Sequence, residues 1–346
     1  MHTLQFGLNR YDMRSPDQFA DSVAYGEQLG FDWAFIPSSP LLAQDPYINL
    51  AFAAKQTTRI GLGPLLENPI TRHPAVLAGS MATLERLAPG RTLLGLGVGD
   101  TAVRTVGAKP ARVARLEAAT KTVVRLVGGE SIDPDYPDGH RLRHAVRTPV
   151  WICAGGPKTL RMAGRVADGV FIRVGTHPNN LKAAVEDIRA GAMEVGRDPD
   201  AIKLGLICHT VLTDDKEAQA LIGRAVVAGY YEYAPYLLER TGESWNGSDV
   251  DELKKKIWQD FHHTPDLMAA GELLPFLSDA AVAGFCLSGN EADVAAQLKA
   301  ILNTGIRFEI FIPHPMLPKT DTVRSDNREY MTRIAQELIP RVRGNA

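Results

Sequence analysis

The sequence predicts an α/β fold, a single (β/α)8 TIM-type barrel, on three observations. Eight short apolar runs are spread along the chain, most of them continuous rather than alternating, as strands covered on both faces require. Helical patterns with recognisable start and stop residues lie between them. Glycines crowd the ends of the fourth and fifth runs, where backbone without side chains lets a ligand approach closely. The competing architecture, an open doubly wound sheet, puts a Gly-x-Gly-x-x-Gly turn after its first strand. Here the first run ends Gly7-Leu8-Asn9-Arg10, with no such turn.

Strands are predicted at 4–9, 33–37, 60–66, 92–97, 150–154, 170–174, 204–212 and 307–312. The helix predicted at 15–29 opens on Ser15-Pro16-Asp17 and has Gly30 just past its end. Helix 74–87 stops before Pro89-Gly90, and helix 157–166 starts on Pro157, a favoured first helical residue. Helices 180–195 and 291–302 are followed by Gly196 and Gly305, and a last helix covers roughly 326–343. Two segments exceed ordinary connections. Residues 128–148, including Asp133-Pro134-Asp135-Tyr136-Pro137-Asp138-Gly139, read as an excursion before the fifth strand. Residues 214–284 carry Tyr230-Tyr231-Glu232-Tyr233, Trp245, Trp258, Phe261 and His262-His263. They read as a helical insertion between strands seven and eight: a substrate lid, or else a dimer contact or local core. The chain, 1–346, is read as one domain.

Composition narrows the function. Of 346 residues, 45% are hydrophobic and 23% charged, enough for a large core and against disorder. A net charge of -2 leaves no basic footprint for nucleic acid. No apolar stretch approaches a membrane span, and the first residues lack a signal-peptide pattern, so a cytoplasmic location is expected. Cys153, Cys208 and Cys286 are far apart in apolar surroundings, as buried thiols in a reducing compartment would be. His262-His263 and His314 lack ligand partners at metal-binding spacing, and no metal is expected. His209, on an apolar run, reads either as a core histidine or as one facing the barrel mouth.

The run Leu93-Leu94-Gly95-Leu96-Gly97-Val98-Gly99-Asp100 leaves a carboxylate at a glycine-lined strand end. Asp100 is placed there as an acid or base; the alternative is a helix cap before Ala102-Val103-Arg104. After the fifth run, Ala154-Gly155-Gly156-Pro157-Lys158-Thr159 presents backbone N–H groups, a hydroxyl and an ammonium suited to a phosphate.

Four blocks in order resemble one family. They are Ile60-Gly61-Leu62-Gly63-Pro64-Leu65-Leu66-Glu67-Asn68-Pro69 with Thr71-Arg72-His73-Pro74; Thr83-Leu84-Glu85-Arg86-Leu87 leading to Gly90-Arg91; Gly95 to Asp100 with Gly107 and Lys109-Pro110-Ala111-Arg112; and Gly155-Gly156-Pro157-Lys158-Thr159-Leu160 through Ala167-Asp168-Gly169. This pattern is similar to the luciferase-like superfamily of flavin- and deazaflavin-dependent oxidoreductases. Within it the chain resembles the F420-dependent methylenetetrahydromethanopterin reductase-like branch. The resemblance implies a cofactor ring at the C-terminal ends of the strands, backed by a bulge with a non-proline cis peptide at Leu65-Leu66. It implies cofactor contacts from Asn9, Leu65, Leu66, Gly97, Val98, Gly99 and the turn Ala154 to Thr159.

Some positions depart from the family. Relatives often carry a small hydroxyl residue where Glu67 stands, and some a carboxylate where Asn9 stands. The acidic-His pair of glucose-6-phosphate-type deazaflavin enzymes is missing, since the second run is followed by Pro37-Ser38-Ser39. The resemblance implies hydride transfer between F420 and a small organic substrate, with Asp100 or Glu67 as the acid that balances charge. Burial would raise the pKa of either; Glu67 also reads as solvated or paired with Arg72. Two alternatives stand beside this reading: an FMN-dependent monooxygenase, and a non-catalytic flavin-binding protein. The expected partners are a small-molecule substrate and further copies of the chain as a homodimer or larger homo-oligomer.

Overall fold

The computed structural model describes residues 3–133, 135–257, 260–319 and 327–344. Pro134, Trp258 and Asp326, each named in the sequence reading, lie outside them. The strands are β1 (Gln5–Leu8), β2 (Trp33–Ile36), β3 (Gly61–Pro64), β4 (Leu94–Leu96), β5 (Val150–Ala154), β6 (Gly169–Ile172), β7 (Lys203–Leu212), β8 (Cys286–Gly289) and β9 (Ile310–Pro315). The sheet order is β3-β2-β1-β9-β7-β6-β5-β4, with β8 paired to β7 outside that path. The two ends of the order, β3 and β4, are joined by parallel bridges at Leu62↔Thr92 and Glu67↔Leu96. This is the predicted α/β barrel, and its eight path strands are the eight predicted runs. β8 was not predicted. Its Cys-Leu-Ser-Gly is too short to carry a period, and only its parallel register with β7, His209↔Cys286 to Leu212↔Gly289, makes it a strand.

The chain divides into two compact units, with the division falling inside β1, β6 and β7. One unit holds Gly7–Phe171 and Glu186–Gly205. In it β2 pairs in parallel with Gly7 and Leu8 of β1 and with the whole of β3. Its core is aromatic: Phe35 stacks on Trp33 and meets Phe171 edge-on, and Trp151 tilts onto Phe171 at 4.7 Å between centroids. β3 and β4 approach very closely, since a Cβ on Gly63 would lie 1.9 Å from the Leu93 carbonyl oxygen.

The helices here obey their end signals. Helix Pro16–Leu29 is capped by Ser15, whose hydroxyl accepts from the Gln18 amide, and closes on Gly30 at φ 90°. Helices Pro74–Leu87 and Pro157–Val166 keep their predicted limits. Helices Pro46–Gln56 and Val113–Val127 were not predicted. The first has only weak apolar periodicity, and its real signal is Asp45-Pro46, a cap followed by a first-turn proline. Residues 128–149 contain no helix or strand among those described, so the excursion is loop.

The other unit holds residues 1–6, 172–185 and 206–346. In it Gln5 and Phe6 of β1 pair with Ile310 and Phe311 of β9, and the Phe6 and Phe311 rings meet edge-on. The insertion is helical as expected: Lys216–Tyr231, Pro235–Arg240, Val250–Lys254, Leu267–Glu272 and Asp279–Ala283. Three of its aromatics pack on one another, Tyr231 stacked on Trp245 at 4.2 Å and Trp245 edge-on to Phe276, each of them half-buried. The last helix is interrupted by a π turn, Ile334–Leu338, ahead of Pro340, which has no N–H for the preceding turn. The three cysteines are free thiols, and burial pushes Cys286 up to about 12. Among the described residues no helix is long and apolar enough to cross a membrane, and no group of three or more His, Cys, Asp or Glu is arranged to hold a metal.

Candidate active site

The expected site residues Asn9, Leu65 to Glu67, Gly97 to Asp100 and Ala154 to Thr159 all fall in the first unit described, at the C-terminal ends of β1, β3, β4 and β5. β3 ends at Pro64, and the Leu65 amide still donates to the Ile36 carbonyl. The Leu65–Leu66 peptide is cis, as the resemblance implies. Past it the chain rejoins the sheet: the Glu67 amide donates to Gly95 O, and the Gly97 amide donates to Glu67 O, each at 2.9 Å. Glu67 is thereby clamped to the end of β4. Asn68 then turns the chain, its Oδ1 accepting from the Ile70 and Thr71 amides. Gly99 fits against this turn because it has φ 72° and no side chain; a Cβ there would lie 2.6 Å from that of Asn68.

Glu67 is the unusual group. Its side chain is fully buried, and neither oxygen has a donor at good hydrogen-bond geometry. Arg72 approaches as an ion contact, its Nε 3.3 Å from Oε1. Arg72 is in turn held by an ion pair with Asp45 and lies over the Tyr47 ring at 5.1 Å. Burial raises the Glu67 pKa above the usual carboxyl range. Arg72, the Ser38 hydroxyl and the Asn68 amide pull the other way, and the Asp45 charge adds to the rise. Asp45 satisfies the arginine, so Glu67 does not have to ionise to do so. The Tyr47 phenol is pushed well up, by burial first and by the Glu67 carboxyl second.

Sequence reasoning found Glu67 and its pairing with Arg72 but missed Tyr47, Asp45 and Ser38. Asp45-Pro46 was the available signal, since a helix starting there puts Tyr47 in its first turn. Asp45 caps that helix by accepting from the Tyr47 and Ile48 amides. Asp45→Asn keeps an acceptor at the cap and removes the charge, so the Glu67 pKa should fall. A carbon-13 titration of the Glu67 carboxyl reads this directly, and an unmoved or higher value would refute the network.

Asp100 lies differently. It occupies the N-cap position of the short helix Thr101–Arg104 but makes no side-chain cap hydrogen bond, so the capping alternative is not realised. Its carboxylate is partly exposed and ion-paired to Arg104 one turn on. It lacks the burial that was expected to keep it protonated. Asn9 is buried just past β1, Leu65 is buried, and Leu66 and Val98 are half-buried. Ala154 is buried, Gly155, Gly156 and Thr159 are half-buried, and Pro157 and Lys158 are exposed. Gly156 is the N-cap of helix Pro157–Val166 and supplies no side-chain cap; Pro157 has no N–H and the Thr159 and Leu160 amides donate to Gly156 O, so the first turn leaves the Lys158 N–H for a ligand.

His73 is the N-cap of its helix, its Nδ1 accepting from the Ala75 amide. The other unit gathers His209, His262 and His314 around Arg173 and Tyr230. His209 is a buried histidine whose ring centroid lies 4.5 Å from that of His262 and 5.2 Å from that of His314.

Comparison with known proteins bears on the family and the fold. The pattern of the luciferase-like monooxygenase family matches residues 2–307. The chain is 30% identical over 317 residues to the 5,10-methylenetetrahydromethanopterin reductase of Methanolobus tindarius, covering 88% of this chain and 92% of the relative. It is 26% identical over 376 residues to the enzyme of the same name from Methanopyrus kandleri, covering 98% and 99%. The solved coenzyme F420-dependent tetrahydromethanopterin reductase from Methanopyrus kandleri superposes with a TM-score of 0.75 at 23% identity, over 98% of this chain and 99% of that one, a likeness of fold. The chain belongs to the luciferase-like monooxygenase family and is an enzyme of its flavin- and F420-dependent oxidoreductases.

Proposed function

We propose that this protein is an F420-dependent reductase that adds a hydride and a proton across an electron-poor C=C, C=N or C=O bond of a small organic substrate. The observation that carries the reading is Glu67, a fully buried carboxyl beside the cis bulge with its pKa raised. The similar fold of the F420-dependent tetrahydromethanopterin reductase, and the reductase names of the sequence relatives, support F420 over FMN. The residues fit such a cofactor, because the N-terminus of helix Pro157–Val166 offers the Lys158 N–H to a phosphate and the bulge offers apolar backing to a ring. When bound, F420 exchanges a hydride with the substrate.

The chain supplies the rest. Lys158 and Thr159 add charge and a hydroxyl at the phosphate turn, and Leu65 and Leu66 exclude water from the bulge. Glu67 holds the proton that the reduced product needs, its backbone clamped to β4 and its carboxyl beside Arg72. Asp100 is ion-paired to Arg104 at the rim.

Gly156 provides a clean test. A Cβ there would meet only Thr159 Oγ1, at 4.0 Å, and its backbone, φ -81° and ψ 143°, suits any residue. Gly156→Val should therefore leave the melting temperature unchanged and weaken F420 binding by about tenfold or more, the loss of one charge-assisted contact. F420 and FMN titrations, followed by their different absorption bands, should favour F420. Tight FMN binding with oxygen-dependent product formation would establish the monooxygenase instead. Unchanged affinity in Gly156→Val would move the phosphate elsewhere.

A further inference from the structure

The unit that carries the insertion contains a cation with no counter-ion among the described residues. Arg173 follows β6 directly and is half-buried. Its Nη2 lies 3.2 Å from His209 Nε2 and 3.4 Å from His262 Nδ1. A guanidinium only donates, so both ring nitrogens must accept. The second nitrogen of each ring then carries its proton: His262 Nε2 donates to the Val226 carbonyl at 3.0 Å, and His209 Nδ1 is buried with no acceptor among the described residues. Both rings are thus neutral by geometry. Burial, and the arginine itself, also depress their pKa values, that of His262 to about 3.

The nearby acids are engaged elsewhere. Asp260 takes His263 Nδ1 at 2.7 Å and Glu232 takes Lys254 Nζ at 3.4 Å. Among the described residues no carboxylate forms an ion pair with Arg173. Taking a charge partly out of water without a counter-charge is costly. The fold nonetheless fixes this guanidinium by one nitrogen between two neutral acceptors, beside the Tyr230 hydroxyl, and sets no described carboxylate against its remaining N–H groups.

We propose that Arg173 is the anchor of an anion subsite that takes the carboxylate group of a small-molecule ligand, with His209 and His262 as its positioning residues. A guanidinium offers paired N–H donors that match the two oxygens of a carboxylate. The neutral rings add no further charge, so the subsite carries one positive charge and suits a monoanion rather than a phosphate dianion. The subsite stands on this unit's own residues and does not depend on the reductase reading. Its test needs no turnover and no F420, so the two readings can fail separately.

Benzoate is the probe, with benzamide as its uncharged counterpart and inorganic phosphate as the dianion, each titrated at neutral pH and constant ionic strength by thermal shift. Benzoate should raise the melting temperature saturably and benzamide should not. Arg173→Gln should abolish the benzoate shift, and Arg173→Lys should retain it with binding weakened by about tenfold, since a lysine keeps the charge and loses the fork. If Arg173→Gln does not fold, nitrogen-15 spectra of the wild-type histidines decide. Benzoate should perturb the Nε2 signal of His209 and the Nδ1 signal of His262 and leave both rings neutral. Equal effects of benzoate and benzamide, a benzoate shift that survives in Arg173→Gln, or unperturbed histidine signals at saturating benzoate would each overturn the proposal. Preference for phosphate would overturn the carboxylate assignment.

Discussion

Glu67→Gln should reduce kcat by about 10²–10⁴-fold, the usual contribution of a positioned acid, while the Kd for F420 stays within about threefold of wild type. The amide keeps the shape of the carboxyl and its place on β4, because Glu67 is anchored there by its own backbone bonds to Gly95 and Gly97. It has no proton to give. Stopped-flow oxidation of reduced F420 with a panel of enones, imines and ketones measures the effect. Wild-type turnover in the variant would remove Glu67 from the chemistry.

The same substitution tests the buried state of the carboxyl. Its folded pKa is raised, so protonation favours the fold: the associated stability is present below the ordinary carboxyl value and lost as pH climbs through the folded value. The difference in unfolding free energy between Glu67→Gln and wild type should therefore grow with pH across that window, by up to about 1.4 kcal/mol per unit, and then level off. Urea unfolding of both proteins across the acid-to-neutral range reads it. A difference that shrinks with rising pH would mean that Arg72 has overcome burial and Glu67 is a structural ion.

Gly63→Ala should be among the most damaging single changes to the fold, costing about 4 kcal/mol or more. The added carbon would sit 1.9 Å from Leu93 O and 3.0 Å from its carbonyl carbon, both backbone atoms that no rotamer change can move. Relief requires parting β3 from β4, which would also pull Glu67 off its bonds to Gly95 and Gly97. Circular dichroism should report little folded protein at physiological temperature. A cooperative transition near that of wild type would mean that the two strands are not in this register.

Much of this was legible along the chain, because strands covered on both faces and capped helices leave local marks. Ser15 with Gly30, and Pro157 with its preceding glycines, mark helix ends by their own chemistry. The eight barrel strands are continuous apolar runs, and the carboxyl at Glu67 was visible as a polar residue at the end of one. The sequence alone therefore determined the barrel and narrowed the candidate acid to two strand-end carboxylates, Asp100 and Glu67. What it left open depends on distance in space. Tyr47, Asp45 and Ser38 are ordinary surface-type residues until the clamp on β4 draws Glu67 inward and Arg72 bridges it to Asp45. β8 is a strand only because β7 lies beside it. Asp100 and Glu67 read alike as strand-end carboxylates; one is ion-paired and partly exposed, the other fully buried. That difference in solvation is invisible along the chain, and only tertiary packing decides it.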